Sequence, residues 1–146
     1  MSLYQKEIIF VFAGEYKYSS DLSMSITTGS CVSLLLVLNK GIVASHCFND
    51  RDAYMLTKEM IQKYKIDTIK AMIIGGGCQY GGLEKSIQLG IDIIKAFLES
   101  HNIPLVHVDT GGKSGRIIEI YPEDNKITIR KIEDKSKYNL VIKEHI

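Results

Sequence analysis

Two residues able to do nucleophilic and proton-transfer chemistry lie close together in the chain. Cys31 sits in "TTGSCVS", where a small-residue turn gives way to an apolar run, and His46 closes "GIVASH". A free thiol has a pKa of about 8.5, so near neutrality little of it is the nucleophilic thiolate. A neighbouring imidazole can take the proton and turn the sulfur into a strong nucleophile for acyl chemistry. Gly29 and Ser30, beside the thiol, are small enough to let main-chain N–H groups approach a developing oxyanion. The plainer alternative is a packing cysteine, since unreactive thiols are among the most buried residues. Cys31, His46, Cys47 and Cys78 include no C-x-x-C pair, so neither a metal site nor a cofactor is expected.

The two readings divide on whether the fold brings thiol and imidazole together. Val32–Leu38 is apolar at both parities, as in a strand covered on both faces. Asn39-Lys40-Gly41 supplies turn chemistry, and Ile42–Ser45 reads as the returning arm of a hairpin. A two-residue turn at Asn39-Lys40 pairs His46 with Ser33. Cys31 then lies two residues further along the same face, about 6–7 Å of strand rise away. A three-residue turn ending at Gly41 shifts the register by one and needs a bulge to reunite them.

Around this hairpin, Glu7–Ala13 reads as a buried strand and "GEYKYSSDLSMS" as a polar connection. Asn49 or Asp50 caps a helix whose apolar positions Ala53, Leu56, Met60 and Tyr64 keep helical spacing. "TIKAMIIGGG" is a strand running into glycines, Leu83–Ser100 a second helix, and "IPLVHV" a further strand. Arg116–Tyr121, the turn "PEDN" and Lys126–Ile132 make a second hairpin, and Tyr138–Ile142 a last strand. About seven strands in consecutive runs with two helices give an α+β class, in one domain over residues 1–146.

Composition narrows the function. The 146 residues carry a formal net charge of +1 with no markedly basic stretch, which removes the footprint of a nucleic-acid binder. The apolar run after Cys31 is too short to cross a bilayer, so no membrane insertion is expected. The N-terminal "SLYQKEIIFVFAGEY" imitates a signal peptide only faintly, its apolar core being short and flanked by Glu7 and Glu15. Three cysteines without framework spacing suggest reduced thiols in a cytoplasm.

Two glycine clusters invite a phosphate-binding reading that their spacing refuses. In "IIGGGCQYGG" Tyr80 stands where G-x-G-x-x-G needs its third glycine, counted from Gly75. "DTGGKSG" has His107 where a P-loop needs its first glycine, and a strand follows instead of a helix. These glycines are better read as letting loops pass close to a neighbouring site or to each other.

Taken in order, "GEY" at Gly14–Tyr16, "GSCVS" at Gly29–Ser33, "GIVASH" ending at His46, "GGG" at Gly75–Gly77 and "DTGGKSGR" at Asp109–Arg116 resemble the chemoreceptor glutamine deamidase family, CheD. The resemblance runs from about Ile8 to Ile132. It implies a three-layer α/β/β fold with mixed sheets, similar to the catalytic domain of the cytotoxic necrotizing factor toxins. It also implies hydrolysis of receptor glutamine side chains to glutamate, extending to glutamyl methyl esters. Cys31 is then the nucleophile and His46 the base. The family's threonine six residues before the cysteine falls on Ser25, which orients the imidazole, with Thr27 or Thr28 as replacements if the register slips. Gly29, Ser30, Gly76, Gly77, Asp109 and Thr110 fall on the substrate and oxyanion side. Methyl-accepting chemotaxis receptors are the implied protein substrate, and a CheC-like phosphatase an implied partner. The alternative is a non-catalytic adaptor that keeps the fold to bind such a phosphatase or a receptor. The family's "IG-x-R-N" appears here as "SIQLG", Ser86 to Gly90, without the Arg and Asn.

Overall fold

The fold follows from which residues must be covered on one face and which on two. The computed structural model describes residues 7–78 and 81–144. One sheet has the order β2 (Tyr16–Ser19), β5 (Ile42–Ser45), β4 (Val32–Leu38), β6 (Thr68–Gly75), β7 (Leu105–Thr110). The other runs β1 (Ile8–Phe10), β3 (Ser23–Thr28), β8 (Arg116–Tyr121), β9 (Lys126–Lys131), β10 (Lys137–Val141). Both are mixed, because β1 runs parallel to β3 and β6 parallel to β7. Two helices, α1 (Asp50–Tyr64) and α2 (Glu84–Ser100), cover the outer face of the first sheet. The order of layers is α/β/β.

The middle sheet explains the unbroken apolar run. β4 is buried at all seven positions. Val32, Leu34, Leu36 and Leu38 pack toward the helices with Leu56, Met60, Ile91 and Ile94. Leu35 and Val37 face the second sheet, with Met24, Ile26, Ile118 and Ile129. A strand buried on both faces cannot alternate.

Strand β4 pairs with β5 through Leu35↔Ala44, Leu36↔Val43 and Val37↔Ile42, and Leu38 N donates to Gly41 O at 3.0 Å. The connection is therefore the two-residue turn Asn39-Lys40. A bridge between Val32 and Cys47 continues the register, which sets Ser33 opposite His46. Asn49 caps α1, its side chain accepting from Asp52 N, and Asp50 and Asp52 lie in the first turn where the helix dipole favours them.

The described residues contain ten strands, not about seven. The first is only Ile8–Phe10, shorter than the Glu7–Ala13 expected. The supposed polar connection contains β2 and the start of β3. In "SMSITT", Met24, Ile26 and Thr28 point into the core while Ser23, Ser25 and Thr27 take the outer face. Among the described residues no helix covers the outer face of this sheet, so polar residues there are compatible with a strand.

Candidate active site

Cys31 stands one residue before β4, half-buried. Its neighbours fix its backbone from two sides. Val32 N donates to Cys47 O at 3.0 Å, and Cys31 O accepts from Gly76 N at 2.8 Å. The N–H groups of Ser30 and Cys31 donate to no acceptor among the described residues. Burial, then the negative charge of Asp52, pushes the Cys31 thiol above its ordinary pKa. A standing thiolate is therefore disfavoured, and the nucleophile has to be made by proton transfer during reaction.

His46 follows β5, is 8% exposed, and is gripped by the turn that precedes β2. Its main-chain N donates to Glu15 O at 3.0 Å and its O accepts from Gly14 N at 2.8 Å. Its ring Nδ1 lies 2.8 Å from Val11 O. A carbonyl can only accept, so Nδ1 carries the proton and, in the neutral ring, Nε2 keeps the lone pair. By strand alternation Cys31, Ser33 and His46 share the face turned toward the second sheet. The structure brings Cys31 and His46 to the same end of one hairpin on the same face, and no hydrogen bond joins Sγ to the ring. Such bonds are often long without substrate and tighten when it binds.

The Ser25 hydroxyl is not the group on Nδ1. Alternation with Met24 and Ile26 turns it to the outer face of β3, and the Val11 carbonyl occupies the orienting position. Ser25 acts one step back, its main-chain O accepting from Val11 N at 3.1 Å. Thr27 is exposed on the same outer face. Thr28 is buried and its hydroxyl donates to Arg116 O at 3.4 Å. None of the three hydroxyls is bonded to the imidazole.

The two glycine clusters meet behind Cys31, and the buried Arg116 fastens them. Its Nη1 donates to the carbonyls of Gly75, Gly111 and Ser114 at 3.3, 2.8 and 3.0 Å, and its Nη2 to Asp109 Oδ1 at 2.9 Å. Tyr138 OH donates to the other Asp109 oxygen at 2.5 Å. Burial would raise the Asp109 pKa, but the bonds from Tyr138 and Arg116 outweigh it and hold the carboxyl below its ordinary value. At Gly75, φ is +121° and an added Cβ would lie 2.5 Å from Cys31 O. At Gly77 a Cβ would overlap the Ser114 carbonyl. Gly76 N–H is already taken by Cys31 O, Asp109 is held in the staple, and Thr110 pairs with Gly75. Of the residues read as substrate- or oxyanion-side, Gly29, Ser30 and Gly77 line an open depression. Gly76 holds the Cys31 main chain, and Asp109 and Thr110 belong to the strand and hydrogen-bond network next to Gly75.

Two depressions flank the Cys31 turn and share Ser30 and Leu83. The more apolar one, about 290 Å³, is lined by Val32, Phe48, Ala53, Ile87 and Gly90 among others. Ser86, Ile87 and Gly90 belong to "SIQLG", so this stretch lines a cleft beside the nucleophile candidate. Cys47, one residue after His46, is turned to the helix side and buried, with its thiol pushed up to about 12, chiefly by burial.

Comparison with known proteins decides the family. The model of CheD chemotactic sensory transduction matches residues 39–131, more than half of the chain. The chain belongs to the CheD family. The matched segment takes in His46, Gly75–Gly77 and Asp109–Arg116 and begins after Cys31. Among CheD proteins, the chemoreceptor glutamine deamidase CheD of Bacillus licheniformis is 28% identical over 132 residues, covering 72% of this chain and 77% of that one. Among the described residues no helix is long and apolar enough to cross a membrane.

Proposed function

We propose that this CheD protein is a cytoplasmic cysteine amidohydrolase that converts glutamine to glutamate on chemotaxis receptors. The carrying observation is the half-buried Cys31 at the open end of the β4–β5 hairpin, on the face it shares with a histidine whose Nε2 is the free base nitrogen.

In the reaction, His46 Nε2 takes the Cys31 proton as Sγ attacks the side-chain amide carbon. The N–H groups of Ser30 and Cys31, without acceptors among the described residues, receive the oxyanion. Protonated His46 gives its proton to the departing nitrogen, and ammonia leaves a thioester on Cys31. Water, deprotonated by the same imidazole, attacks the thioester; glutamate leaves and the thiol is restored. A glutamyl methyl ester follows the same course with methanol as leaving group. The apolar cleft at Val32, Ala53 and Ile87 receives substrate residues next to the reactive glutamine, where "SIQLG" replaces charge and amide recognition with apolar contact.

The test is mass spectrometry of receptor cytoplasmic fragments incubated with the protein, read together with ammonia release. Gln-to-Glu conversion that vanishes in Cys31→Ala supports the proposal; conversion that survives in Cys31→Ala refutes it. The adaptor reading, with a CheC-like phosphatase as partner, requires a Cys31 inert to alkylation, which its partial exposure disfavours.

A further inference from the structure

The peptide unit between Val11 and Phe12 is bonded at both ends. Its carbonyl faces His46 Nδ1 at 2.8 Å, and its N–H, that of Phe12, donates to Glu15 Oε1 at 2.9 Å. Carboxylate, peptide and imidazole thus stand in one line of hydrogen bonds. The turn that carries them is closed a second time by Glu15 N to Phe12 O at 3.2 Å, and Gly14 within it has φ +87°. The Val11–Phe12 peptide plane cannot rotate without breaking its bond to His46 or its bond to Glu15, and the preceding peptide is anchored by Val11 N on Ser25 O.

We infer that Glu15 is a positioning residue whose carboxylate, acting through the Val11–Phe12 peptide, fixes the tautomer and aim of His46. In a Ser-His-Asp triad the carboxylate meets the imidazole directly and selects the Nδ1–H tautomer. Here the carboxylate is one peptide away. An acceptor on the N–H end of an amide makes its oxygen a better acceptor, because hydrogen bonds in a chain polarise one another, by about 10–30% per bond. The arrangement does two things. It holds the ring so that Nε2 is the base, and it places the partner charge on a partly exposed turn, one peptide away from the imidazole. It also gives a role to "GEY": glycine for the turn, glutamate for the peptide.

This inference rests on His46 being the base, and its test separates the two questions. Nitrogen-15 NMR of the imidazole in the full chain reads the tautomer without any substrate. Wild type should show His46 protonated at Nδ1, and Glu15→Ala should show a mixture of tautomers. With receptor fragments as substrate, Glu15→Ala should lower kcat by about 10²-fold, the scale of a small misplacement, with KM little changed. Glu15→Gln, which keeps an acceptor oxygen, should restore the Nδ1–H signature and most of kcat. Wild-type protein protonated at Nε2, or Glu15→Ala with an unchanged tautomer, overturns the inference. A tautomer shift without any deamidation in wild type upholds the relay and refutes only the reaction assigned to it.

Discussion

Replacing Arg116 with leucine removes the cation that joins both glycine clusters. Four hydrogen bonds are lost: three from Nη1 to Gly75, Gly111 and Ser114, and one from Nη2 to Asp109. Breaking a buried ion pair by deleting one partner costs about 3–5 kcal/mol, because the other charge is left uncompensated. Asp109 still holds Tyr138 and is 15% exposed, which places the expected loss near the lower end, about 3 kcal/mol. That is a large part of the roughly 5–15 kcal/mol that holds a domain together. Arg116 Nε is buried without a partner, so leucine removes one existing penalty while creating the others.

Urea unfolding followed by circular dichroism reads the loss as a lower midpoint. Adding Asp109→Asn to Arg116→Leu should recover part of it, since an amide tolerates the site without a cation. The pH dependence has a fixed sign. The folded-state pKa of Asp109 is depressed, so its contribution is present above the unfolded value of about 3.9 and is lost as pH falls through the lower folded value. Arg116→Leu should flatten that acid limb. A loss below about 1 kcal/mol, with the acid limb intact, would show that water replaces the guanidinium and that the staple argument is wrong.

Three further outcomes are expected. Iodoacetamide should modify Cys31 well before Cys47, because Cys47 is buried with its thiol raised to about 12, and peptide mapping reads the order. The Cys31 rate should climb with pH to a midpoint above the about 8.5 of an ordinary thiol, and Asp52→Asn should lower that midpoint without abolishing the shift, since burial is the larger cause. Gly75→Ala, forced to carry a Cβ at φ +121° and 2.5 Å from Cys31 O, should cost at least about 1–3 kcal/mol in urea unfolding and slow Cys31 alkylation.

How much of this was legible beforehand depends on whether a residue acts through its side chain or its backbone. The hairpin was legible because side chains encode it: apart from Ser33, β4 is apolar throughout, and Asn39-Lys40-Gly41 supplies turn chemistry, whereas the choice of the two-residue turn that sets Ser33 opposite His46 came only with the fold. The capped start of α1, which the sequence put at Asn49 or Asp50 and the fold puts at Asn49, and the limits of β8 were legible for the same reason. Strand β3 was not, because only one face of its sheet is covered. Its outward Ser23, Ser25 and Thr27 look like a linker, although Met24 and Ile26 already carry the period of two that would have turned Ser25 away from the imidazole. Val11 left no trace of its role, since any residue there offers the same carbonyl.

That asymmetry bears on how such a site tolerates change. A triad whose orienting member is a side chain fails when that residue mutates. Here the orienting oxygen is main chain, and substitution at Val11 alters the apolar contact while leaving the bond to Nδ1 in place. The positions that hold the bond are those that shape the turn, Gly14 by its φ of +87° and Glu15 by its carboxylate, and those that anchor it, through the Ser25 carbonyl. Val11→Ala should therefore lose stability in proportion to the apolar area removed and still keep the Nδ1–H tautomer. Val11→Pro lacks the N–H that Ser25 O accepts, so the anchor before the peptide goes and the peptide is held only by its bonds to His46 Nδ1 and Glu15. If Val11→Ala and Val11→Pro shift the His46 tautomer equally, the orientation comes from packing of the ring and not from this peptide.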